Sequence, residues 1–125
     1  MKVLVLSNGV FEEKEIENTL KALQEIVGGW IEIPFISEKL YEEGIDIIIN
    51  EEGKLIGLEP QIAIVQKGKN KILDLVMGNC IFASHDEEGN TIGLNDRQIK
   101  VIEEELKYET FISYGGMAMV KVLFI

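Results

Sequence analysis

The chain has 125 residues, 46% of them hydrophobic, and 12 Lys and Arg set against 22 Asp and Glu give it a formal charge of −10. This balance excludes a disordered chain and predicts one globular domain over residues 1–125. The single Cys and single His exclude a disulfide framework or a His/Cys zinc site within one chain, and the acidic excess argues against direct nucleic-acid binding, where Lys and Arg supply the affinity.

Val3-Leu4-Val5-Leu6 reads as a buried strand ended by a Ser7-Asn8-Gly9 turn. From Glu13 to Val27, the spacing of Ile16, Leu20, Leu23 and Val27 predicts a first helix, closed by Gly28-Gly29. Trp30 to Phe35 reads as a strand that Pro34 assigns to a sheet edge. Ile45 to Ile49 is strongly β, and Asn50-Glu51-Glu52-Gly53-Lys54 after it predicts a hairpin or meander. Ile62 to Val65 and Lys71 to Val76 flank a Lys-Gly-Lys-Asn turn, and Gly78 to Ala83 is a further short run before the loop at Asp86 to Asn90. Asn95 as N-cap and Gln98 at the capping-box position open a second helix with an Ile99, Ile102 and Leu106 stripe. Thr110 to Tyr114 and Met117 to Phe124 bracket Gly115-Gly116, a two-residue hairpin signal. The expected fold class is therefore α+β: an antiparallel-rich sheet with two helices, one near the N-terminus and one before the C-terminal hairpin at 107–125.

Gly28-Gly29 follows a helix where a phosphate loop follows a strand, so the pair reads as a cap. Gly115-Gly116 is most simply a hairpin turn, although Gly115 beside Tyr114 can face a ligand. His85 has Ser84, Asp86 and Cys80 nearby, but strand neighbours point to opposite faces and Cys80 lies in an apolar run. A loop position or a ligand hydrogen bond at a pocket rim suits His85 better than catalysis. The Glu pairs match no cation loop, so neither a metal nor a cofactor is expected. Arg97, the only arginine, sits on the first turn of the second helix, where Asn95 and the free N–H groups favour an anion; the alternative is a solvated surface side chain near Asp96. Phe82 and Trp30 are strand aromatics, available either to stack a base or to fill the core.

The segment Glu17 to Glu32 (ENTLKALQEIVGGWIE) resembles the opening motif of a small family of phages and mobile elements known as a domain of unknown function. Asn50 to Pro60 (NEEGKLIGLEP), Leu75 to Phe82 (LVMGNCIF) and Leu94 to Ile99 (LNDRQI) resemble its later motifs, so the likeness covers roughly residues 1–106. The resemblance implies a non-enzymatic accessory protein of a virus or mobile element, directed against host defence in the host cytoplasm. In size and architecture the chain is similar to the anti-Thoeris sponge proteins, oligomers that sequester cyclic ADP-ribose-type immune signals.

The expected function is a sponge for a cyclic nucleotide or cyclic ADP-ribose derivative, with no catalytic residues. Phe82 would stack the base, Arg97 and the Asn95 helix start would take phosphates, and His85 would stand at the rim. The rival readings are an acidic decoy of a DNA-binding defence enzyme and, lowest, a hydrolase of the same signal. Met117 to Ile125 is almost wholly apolar, which calls for cover on both faces. A homodimer or higher even oligomer would supply it, with Lys107, Tyr108 and Tyr114 reaching a partner's pocket; an internal central strand is the other solution. No apolar run or leader pattern predicts a membrane.

Overall fold

Residues 1–125 are described by a computed structural model. The N-terminal apolar run forms β1 (Lys2–Ser7), which turns through Asn8 and Gly9, both at positive φ, into β2 (Val10–Glu15). The expected first helix therefore starts later: Glu13 and Glu15 pair with Leu4 and Lys2 across a β ladder, and α1 (Leu20–Val27) begins at its Thr19 N-cap. Backbone pairing with a buried neighbour outweighs the helix preference of Glu and Lys there. Gly28, at φ 80°, closes α1 as expected.

β3 is only Ile31–Glu32, because Pro34 has no N–H to continue the ladder. A short helix absent from the sequence reading, α2 (Glu38–Glu42), follows on a Ser37 cap. β4 (Ile45–Asn50) forms no hairpin with the next strand; it pairs with β3 and, further on, with β7. The Glu51–Glu59 loop instead carries the chain to a second sheet, where β5 (Pro60–Gln66) and β6 (Lys71–Met77) make the expected hairpin. β7 (Cys80–His85) and β8 (Thr91–Ile92) return to the first sheet. α3 (Asp96–Glu105) has the full Asn95–Gln98 capping box. β9 (Tyr108–Ser113) and β10 (Met117–Phe124) join through Tyr114, Gly115 and Gly116, one residue more than the two-residue turn expected.

The fold is α+β, with three helices and two sheets. The first sheet runs β2-β1-β7-β4-β3, with β8 against β7, and is antiparallel throughout; the second runs β6-β5-β10-β9, with β5 and β10 parallel. Side chains alternate across each strand, so each sheet contributes two faces. Leu4, Leu6, Ile47 and Phe82 share the main core with Ile62, Ile64 and Leu123 of the second sheet and with Ile99 and Ile102 of α3. Val3, Val5, Ile48 and Ile81 on the opposite face of the first sheet pack with Leu23 and Val27 of α1. β10 lies between β5 and β9; its Val120, Val122 and Leu123 are buried, while Met117 and Met119 stay exposed. No helix is long and apolar enough to cross a membrane.

Candidate functional site

Polar side chains of α2, β4, β7 and α3 meet around the turn from α2 into β4. Gln98 is buried and donates from Nε2 to the carbonyl of Glu43 (3.0 Å) and the hydroxyl of Ser84 (3.0 Å), and Ser84 donates to the carbonyl of Gly44 (2.8 Å). This network ties the end of α2 to the start of α3 and the end of β7. Glu43 takes the Arg97 guanidinium through Nε (3.3 Å) and Nη2 (3.2 Å), and Lys39 approaches it at 3.5 Å. The Arg97 hydrogen bond is the main reason its carboxyl is held below the usual carboxylate range. A shallow hollow here presents Arg97, Lys39 and Lys100 among Glu43, Asp96, Glu104 and Glu105.

On the neighbouring side, His85 Nδ1 lies 2.9 Å from Asp46 Oδ2. A carboxylate only accepts, so Nδ1–H donates and Nε2 is the free ring nitrogen. Tyr41 stacks on the imidazole with centroids 5.5 Å apart, and Phe35 lies 5.5 Å from Tyr41. Phe35 and Tyr41 are 69% and 54% exposed, so part of each ring is accessible to a ligand as core aromatics are not, while His85 covers one face of Tyr41. Phe35 also borders a cleft of about 340 Å³ between the two sheets. Ile36, Ile49, Ile64 and Val76 line it, while Lys54, Asp74, Glu32 and Glu51 supply charge. Lys54 bridges to Asp74 and lowers its pKa. The cleft can accept a ring system, and its carboxylates can accept hydrogen bonds from hydroxyl or amino groups.

Of the residues expected to bind, His85 contacts Asp46 and Tyr41, Arg97 contacts Glu43 on the other side of the α2–β4 turn, and Asn95 reaches the turn only through Gln98. The Asn95 side chain, however, is spent on the α3 cap, accepting from the Gln98 N–H at 2.8 Å. Phe82 corrects the expectation: it is fully buried, edge-on to Phe11 at 5.7 Å, and presents no face to a ligand. Trp30 is exposed but lies outside the strand assigned to it. Lys107 sits over the Tyr108 ring, and Tyr108 packs edge-on to Phe124, in the second sheet. Tyr114 borders a shallow surface hollow with Lys54 and Leu73, and Gly115 stands beside it in the hairpin loop. Cys80 is buried and its thiol is pushed up to about 12, which leaves it a core side chain rather than a nucleophile. No three His, Cys, Asp or Glu side chains converge as a metal-ligand set.

The sequence reading missed Phe35 and Tyr41. The signal was present in Ser37-Glu38-Lys39-Leu40-Tyr41-Glu42-Glu43-Gly44, a cap, one helical turn and a glycine stop. No curated protein and no solved structure shows significant similarity to the chain. The family model described as a domain of unknown function (DUF3846) matches residues 1–107, and the chain belongs to that family.

Proposed function

We propose that the protein is a non-enzymatic sponge that sequesters, without altering it, a small anionic nucleotide-derived ligand of the cyclic nucleotide or cyclic ADP-ribose type. In this reading it is a phage-encoded anti-defence protein acting in the host cytoplasm, related to the anti-Thoeris sponges. The observation that carries the proposal is the ladder Phe35–Tyr41–His85, exposed at Phe35 and Tyr41, with His85 oriented by Asp46 and Arg97 held by Glu43 at the same turn. An open aromatic face takes a base by stacking, and a guanidinium takes a phosphate. Tyr41 thus replaces Phe82 as the stacking residue.

The phosphate must displace the Glu43 carboxylate, which already occupies Arg97 and lies near Lys39. Affinity is therefore set by a competition within the protein. Calorimetry with cyclic ADP-ribose and a set of cyclic mononucleotides and dinucleotides tests the assignment. The expected result is that one of them binds, and that Tyr41→Ala weakens it about 5- to 150-fold, the equivalent of losing one stacked base. Unchanged affinity in Tyr41→Ala and Arg97→Ala would remove the ligand from this site. Absence of binding by the whole set, with tight association to a DNA-binding defence enzyme, would favour the acidic decoy instead.

A further inference from the structure

The sheet edges differ sharply in how they are protected. An edge strand offers unpaired N–H and C=O groups to any other strand, and proteins block this with charge, proline, bulges or very short strands. β2 carries Glu12, Glu13, Lys14 and Glu15 along its length. β3 and β8 are two residues each, and Pro34 follows β3. β6 has a register irregularity against β5 and bears Lys71 and the Lys54-bound Asp74. β9 has the fewest of these devices. It runs Tyr-Glu-Thr-Phe-Ile-Ser, pairs only with β10, and its one charge, Glu109, is bridged to Lys121.

We infer that β9 is the self-association edge of this protein: two copies pair β9 to β9, antiparallel about a two-fold axis, and join their four-stranded sheets into one. An isologous antiparallel pair is self-complementary, so a single strand serves as both halves of the interface. Charge selects the second copy as the occupant. Each chain carries −10, so most surfaces repel their own kind. Between Lys107 and Lys121, Glu109 is the only charged residue. That stretch exposes Phe111 (60%), Met117 (71%) and, directly across from Phe111, Met119. Two copies can approach there with apolar contact and little repulsion. The inference does not depend on what the α2–β4 turn binds, and it rests on the β9 edge together with the exposed start of β10.

Light scattering at micromolar concentration tests it. The expected mass is twice 14.1 kDa, falling to the single-chain value in Phe111→Lys and in Thr110→Lys. Both positions are exposed, and near a two-fold each lysine faces its own copy. In the unsubstituted chain, hydrogen exchange of the outward β9 amides should slow as concentration rises, a readout independent of any variant. A single-chain mass throughout would overturn the proposal. So would an oligomer that survives both substitutions, or a monomer whose β9 edge accepts a synthetic β-strand peptide in place of a second copy.

Discussion

At the scale of single residues, the chain separates aromatic side chains that fill space from those that present a face. Phe82 stands in Cys80-Ile81-Phe82-Ala83, all buried, in the middle strand of a sheet covered on both sides. A run apolar on both faces carries no period, so the sequence could not reveal whether its aromatic was open or closed. Tyr41 is open because a five-residue helix has few buried positions to offer, and Leu40 takes the one inward position. Glu43→Gln should therefore raise affinity for phosphate-bearing ligands by calorimetry, since it leaves Arg97 without its carboxylate while the Glu43 carbonyl still holds Gln98. Cys80 makes a second prediction. Its folded-state pKa of about 12 lies above the ordinary 9.0, so the native thiol should resist alkylation near pH 8 and react only when the chain is unfolded. The unfolded chain loses that proton first. The thiol's contribution is intact below pH 9 and should fall by about 1.4 kcal/mol per pH unit between the two pKa values, measurable as a declining urea midpoint.

Among the elements, the two best-predicted features are those whose signals are local. The Asn95–Gln98 capping box and the β5–β6 hairpin turn need no tertiary information. Asn95→Ala should lower stability by about 1 kcal/mol, seen as a reduced melting temperature, because it frees the Gln98 N–H that the cap satisfies. β2 and the β4–β5 connection were misread for the opposite reason. Glu12 to Glu15 suit a helix by propensity and become a strand only because β1 lies beside them. Gly53 looked like hairpin chemistry, but it lets the loop pass close over β6: a Cβ there would lie 2.6 Å from the Met77 carbonyl oxygen. Gly53→Ala should consequently displace the Glu51–Glu59 loop and open the adjoining cleft, with faster proteolysis of the loop as the readout.

The whole molecule is two sheets around a shared core, with the buried Gln98–Ser84 network at the α2–β4 turn and its least protected edge at β9. The order of strands and helices anticipated the class, α+β, but a second sheet requires knowing that β5 leaves its sequence neighbour β4 and that β10 comes back parallel to β5. Such pairing is long-range and leaves no short-range trace in the sequence. The same limit hid the candidate site: His85 and Arg97 could be singled out one by one, while their approach to the same turn from β7 and α3 is a property of the fold. Sequestration of an intact nucleotide-derived ligand is tested by mass spectrometry of what the protein retains. The chain is incubated with cyclic ADP-ribose and cyclic nucleotides, washed by ultrafiltration, and heat-denatured to release bound molecules. Release of one of them at unchanged mass, and its loss in Tyr41→Ala, is the expected outcome; release of none, or of a product of altered mass, would rule out sequestration.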